Sequence, residues 1–106
     1  MYQKVIFYLS EHYIENISLS SVAKTFGYNE KYLSHLLHDL TKMHFSKLIA
    51  LYRVERAKQL LETEPQQSVT EVMARSGFST LNTFHRAFKE MTGCTPLEYK
   101  KRFKVS

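Results

Sequence analysis

Two stretches of the chain place hydrogen-bonding and cationic side chains at helical spacing. In the first, Lys31, Ser34, His35 and His38 recur at i, i+3, i+4 and i+7, with Glu30 beside them. In the second, Leu81, Asn82, His85 and Arg86 fall at i, i+1, i+4 and i+5, preceded by Ser79 and Thr80. A period of 3.6 residues gathers each set onto one helix face. Such a face donates and accepts hydrogen bonds and carries positive charge, which is chemistry for recognition. Catalysis has little to build on: there are no paired carboxylates, no nucleophile–base spacing and no phosphate-cradling glycine loop, so no catalytic residue is assigned. His35 and His38 lie at i, i+3, but a third metal ligand from His12, His44 or His85 has no spacing signature. Neither metal nor cofactor is expected. Cys94 stands alone. It forms no intramolecular disulfide and reads as a small packed residue, although a thiol at a helix start can have a lowered pKa.

The elements that must position these faces are helices. Only three glycines and two prolines occur in 106 residues, too few for a chain built on β-turns. The hydrophobic share of 43% and charged share of 24% are those of a folded domain. No apolar run approaches the ~20 residues of a membrane span, and no signal-peptide pattern opens the chain, so the cytoplasm is the expected compartment. A net charge of +5 suits an anionic partner without selecting one.

Seven helices are predicted. The first runs from Tyr2 to Ile14, with Val5, Ile6, Leu9 and Tyr13 as its apolar stripe. Ser18 caps a second that buries Leu19, Val22, Ala23 and Phe26 and stops at Gly27. Asn29 caps a third, with Leu33, Leu36, Leu37 and Leu40 inward. A long fourth extends from Phe45 to Leu61, with Phe45, Leu48, Ile49, Tyr52, Ala57, Leu60 and Leu61 on one apolar side. Pro65 marks the break after it. Ser68-Val69-Thr70-Glu71 is a capping box that starts a fifth helix ending at Gly77. A sixth follows from Ser79 or Thr80 to Met91, with Phe84, Ala87, Phe88 and Met91 inward, and Gly93 ends it. Thr95-Pro96-Leu97-Glu98 opens a seventh. Lys100, Lys101, Arg102 and Lys104 close the chain as a basic tail, either a frayed end or a source of phosphate contacts.

The second half repeats the first. Gly27 and Gly77 are 50 residues apart, Ser18-Leu19-x-x-Val22 matches Ser68-Val69-x-x-Val72, and Gly27-Tyr28 matches Gly77-Phe78. With one extra residue in the second copy, Leu33 matches Phe84 and Leu37 matches Phe88. Each copy is a short helix, a glycine turn and a second helix, the helix-turn-helix plan. The subdomains are expected at about 2–42 and 67–103, joined by a linker helix at about 44–62, all within one domain spanning 1–106.

The run from Gly77 to Tyr99 carries Gly77-Phe78, Phe84-His85-Arg86-Ala87-Phe88-Lys89 and Gly93-Cys94-Thr95-Pro96-Leu97-Glu98-Tyr99 in order. It resembles the signature of the AraC/XylS family of bacterial transcription regulators, and Arg53 to Leu61 resembles that family's central linker helix. The resemblance spans Tyr2 to Phe103. It implies sequence-specific binding of double-stranded DNA and control of transcription, more often activation through contact with RNA polymerase. It puts base contacts at Lys31, Ser34, His35, Leu81, Asn82, His85 and Arg86. His38 shares the first outer face. Thr80 and Ser79 can donate to phosphate. Asn can pair with adenine, Lys or Arg with guanine, and Leu can pack on a thymine methyl. Arg86 can instead orient its helix or pair with an acidic neighbour.

A linker of about 17 residues spans roughly 26 Å, a length that with flanking elements can set two recognition helices in grooves ~34 Å apart. Some DNA bending is expected. Three departures from the family pattern carry expectations. The first recognition helix lacks arginine, which weakens guanine readout from that half. Lys42 replaces a glycine after the first recognition helix, which predicts a different helix end. Met73 replaces a small residue and predicts wider packing. In most members of that family a separate N-terminal sensing or dimerisation domain, absent from this sequence, accompanies such a domain, while a few consist of it alone; the sequence opens almost at its first helix, which fits an excised C-terminal domain. The competing reading is a helical protein–protein interaction module, which requires an exposed apolar groove where these faces are polar. The aromatic residues read as core, not as a stacking platform for single strands.

Overall fold

A computed structural model of the chain describes residues 2–103, with the side chain of Tyr2 excepted. Lys104, assigned above to the basic tail, lies outside the described residues. The described residues form seven helices joined by short turns: α1 (Tyr2–His12), α2 (Leu19–Phe26), α3 (Glu30–Thr41), α4 (Phe45–Thr63), α5 (Val69–Arg75), α6 (Leu81–Thr92) and α7 (Pro96–Lys101). They group into two compact units, residues 1–50 and 51–106, and the boundary falls inside α4.

Local chemistry sets the helix starts. Ser18, Asn29, Ser68, Thr80 and Thr95 are extended N-caps whose side chains each accept a hydrogen bond from a backbone N–H three residues on. This satisfies donors that a helix end leaves unpaired. At α5 and α7 the boxes close reciprocally, Glu71 accepting from the Ser68 amide and Glu98 from the Thr95 amide. Hydrogen bonding to Thr95 holds the Glu98 carboxyl below its usual range. Unexpectedly, α2 also has a box, with Ser21 in the role of the acidic residue.

In the first unit α2 packs on α3, and Val5, Leu9, Val22, Ala23, Leu33, Leu36, Leu37, Leu48 and Ile49 are buried. Leu40 does not join them and is 40% exposed. Its helix has twelve residues against eight in α2, so the last turn of α3 outruns that partner. In the second unit, Val54, Ala57, Leu60, Leu61, Val72, Phe78, Phe84, Phe88, Cys94 and Tyr99 form one buried cluster. Val69, Met73, Ala87 and Met91 pack against its edge. Met73 is thus taken in as a half-buried margin residue at the position matching Ala23.

The buried residues of α4 do not form the single apolar side expected. Leu48 and Ile49 are buried in the first unit, while Val54, Ala57, Leu60 and Leu61 are buried in the second. At 3.6 residues per turn, Val54 lies about 120° around the axis from Leu48. One helix thus supplies two differently directed faces, and a search for one stripe overlooks Val54.

The helix ends also differ from expectation. Lys42 takes up the left-handed conformation itself, at φ 61°, and its N–H bonds to His38 O at 2.8 Å. Gly93 does the same at φ 85° with Lys89 O, also at 2.8 Å. Thr41 and Thr92 then repeat one network: each hydroxyl donates to a carbonyl four residues back and accepts from the N–H two residues on. The helix end at Lys42 is therefore the one a glycine would make, with the strain carried by a lysine.

Candidate nucleic-acid interface

The α2–α3 and α5–α6 turns are built from the same bonds. Gly27 N–H reaches Lys24 O and Tyr28 N–H reaches Ala23 O; fifty residues on, Gly77 N–H reaches Ala74 O and Phe78 N–H reaches Met73 O. Both glycines have positive φ, 73° and 101°. These turns let a second helix start within a few residues of the first, presenting its N-terminal half outward.

On α3, Lys31, His35 and His38 are exposed and Ser34 is half-buried. His38 stacks on His44, with ring centroids 4.9 Å apart and planes 28° apart, a pairing the sequence spacing did not suggest. On α6, Leu81, Asn82, His85 and Arg86 are all exposed, Leu81 at 42%. Thr80 is exposed too, but its hydroxyl is engaged: it donates to Thr83 Oγ1 at 2.9 Å and accepts from the Thr83 N–H at 3.2 Å. Among the described residues, the side chains of Lys31, Asn82 and Arg86 enter no hydrogen bond or ion pair, so no acidic partner for Arg86 is found there. Each unit therefore brings its own predicted residues together on one helix face.

The charge on the two units is unequal. Residues 1–50 hold five lysines against four acids; residues 51–106 hold ten basic residues against six acids. All five arginines lie in the second unit and four of the five histidines in the first. Among the described residues, no group of three or more His, Cys, Asp or Glu side chains is placed to hold a metal ion. No helix among them is long and apolar enough to cross a membrane.

Support for α6 comes from residues that the periodicity did not single out. Arg53 of α4 lies over the Phe78 ring, 6.0 Å from its centroid, and burial lowers its pKa. Tyr99 of α7 donates a short hydrogen bond to the Glu62 carboxylate of α4. Burial, and then that bond, push the Tyr99 hydroxyl up to about 12. Arg102 lies 5.8 Å from the Tyr99 ring centroid, so part of the basic tail is packed against the fold.

A family model for a helix-turn-helix domain matches residues 22–102. The chain belongs to the AraC-type helix-turn-helix family. This family comprises DNA-binding domains of transcription regulators and not enzymes. An HTH-type transcriptional regulator of Staphylococcus aureus is 31% identical over 93 residues, covering 88% of this chain and 12% of that protein. The chain thus spans a small fraction of the curated relative's length. A Listeria innocua protein structure has a TM-score of 0.90 at 33% identity, covering 96% of each chain. The DNA-binding domain of AdpA, a global transcriptional factor solved with a target DNA, shares the AraC-type fold at TM-score 0.89 and 24% identity, covering 96% of this chain and 91% of that one.

Proposed function

We propose that the domain reads double-stranded DNA through α3 and α6, each in its own major groove, in the control of transcription. The observation that carries this reading is the repetition of one turn geometry in front of two polar, exposed helix faces within an AraC-type domain. Lys31, Ser34, His35 and His38 form the contact set of the first unit. Thr80, Leu81, Asn82, His85 and Arg86 form that of the second, where Asn82 suits adenine, Arg86 guanine and Leu81 a thymine methyl. Thr80, with its hydroxyl proton committed to Thr83, serves first as the cap of α6 and offers its remaining lone pair or a nearby amide to the backbone. In this reading the first unit lacks arginine and leans on Lys31 and imidazoles, so the second contributes more of the guanine readout. Transcription activation through RNA polymerase, action at the bacterial nucleoid and a partner sensing domain complete the proposal.

The test is selection from a random duplex library with the purified domain, followed by salt titration on the winners. Two sequence blocks about one helical turn apart are expected, with log affinity falling steeply against log salt, each neutralised phosphate adding about 0.9 to the slope. Absence of binding at low salt would reject DNA as the partner and favour a protein-binding module.

A further inference from the structure

Arg53 occupies a place that base reading does not explain. It projects from α4 within the second unit, half-buried, over Phe78. Phe78 is 4% exposed and packs on Phe84, centroids 5.1 Å apart, and Phe84 packs edge-on against Phe88 at 5.8 Å. Phe78 is also two residues ahead of Thr80, the cap from which α6 starts. Its backbone is tied to Met73 O at 3.0 Å, and its ring is clasped between Arg53 and Phe84. The matching ring of the first unit, Tyr28, is held differently. It stacks on Phe26 at 6.0 Å and meets Tyr32 edge-on at 5.0 Å, as part of an aromatic cluster.

We propose that Arg53 is a positioning residue for the second recognition helix: its guanidinium, laid on Phe78, fixes where α6 begins and so holds Leu81, Asn82, His85 and Arg86 in register as one reading face. Arginine suits the place. Its planar, weakly hydrated head tolerates half-burial and lies flat on a ring, whereas a lysine ammonium does neither. The charge remains at any working pH despite the desolvation. The consequence for base preference rests on the DNA reading above; the mechanical role of Arg53 does not.

The experiment compares the domain with Arg53→Met and Arg53→Lys in two readouts. Amide hydrogen exchange should quicken by at least ~10-fold at Thr83 and Phe84, whose N–H groups bond Thr80, while Tyr32 and Leu33 at the start of α3 keep their rates. On the duplex selected by the unaltered domain, the block read by the second unit should become degenerate and the other block stay sharp. Lys should recover only part of either effect. Unchanged exchange at Thr83 and Phe84 overturns the proposal, as does an equal rise at all helical amides, which would mean general destabilisation. A loss of affinity equal across all sequences, with exchange unmoved, would make Arg53 a phosphate contact instead. Should Arg53→Met fail to fold, Phe78→Leu removes the ring while keeping apolar bulk, and the same local exchange pattern is expected. An unaltered domain that selects no duplex would sink the DNA reading alone, since exchange still decides the role of Arg53.

Discussion

The two units repeat one plan and stabilise it with different materials. In the first, α3 ends in a strained lysine and the turn ring Tyr28 sits among half-exposed aromatics. In the second, α6 ends in a glycine, and the turn ring Phe78 is buried within an aromatic series running through Phe84 and Phe88 to Tyr99. The second also holds every arginine. Equivalent backbone bonds at Gly27 and Gly77 show one turn geometry made in two different side-chain surroundings. Core size and surface chemistry are free to diverge around it. The repeat is thus conserved in backbone and unequal in side-chain support, and the inequality can be tested directly.

The largest expected effect is on the second core. Phe84 is fully buried against Phe78 and Phe88, so Phe84→Ala should cost about 3–5 kcal/mol. Urea unfolding followed by circular dichroism measures it; a loss under ~1 kcal/mol would deny the aromatic series its role. On the reading faces, Arg86→Ala should weaken binding to the selected duplex by ~1–3 kcal/mol. Lys31→Ala should instead relax base preference in one half-site. Fluorescence anisotropy on matched duplexes separates these, and an unchanged affinity for the Arg86 variant removes it from the interface.

Tyr99→Phe comes next, at about 1–2 kcal/mol for a donor to a carboxylate. The folded chain keeps the Tyr99 proton up to about 12 against 10.0 for the free group. A raised folded value means the stabilisation is whole below pH 10 and is lost as pH climbs from 10 to about 12. The difference in stability between the unaltered domain and Tyr99→Phe should therefore shrink across that window; a constant gap would contradict the assignment. The smallest effect concerns the helix ends. Lys42→Gly should stabilise by roughly 1 kcal/mol by removing left-handed strain. Gly93→Ala should cost a similar amount from φ alone, because an added Cβ at Gly93 meets nothing within 4 Å. If Lys42→Gly leaves the melting temperature unmoved, the two ends differ in more than residue type.

Much of the fold was legible because its signals are local. Side-chain caps at Ser18, Asn29, Ser68, Thr80 and Thr95 each satisfy donors within three residues, so spacing alone announces them. The reading faces emerged by subtracting apolar stripes from α3 and α6. Four features escaped for one reason. The second face of α4, the exposure of Leu40, the Arg53–Phe78 stack and the Tyr99–Glu62 bond all depend on which element lies opposite. Lys42 escaped for another: composition points to glycine at left-handed positions, yet a lysine can carry that strain when the Thr41 network and the core of α3 over-determine it.

By itself, then, the sequence determined the seven helices, their caps, the repeat and the family, since these rest on interactions a few residues apart and on motif order. Tertiary structure alone decided which face each half of α4 buries, that Arg53 sits on the ring ahead of α6, and that Tyr99 ties α7 to Glu62. The reason is physical. Such contacts join residues 25 and 37 positions apart, and only packing, which settles the orientation of whole helices at once, selects them from the many pairs that composition allows.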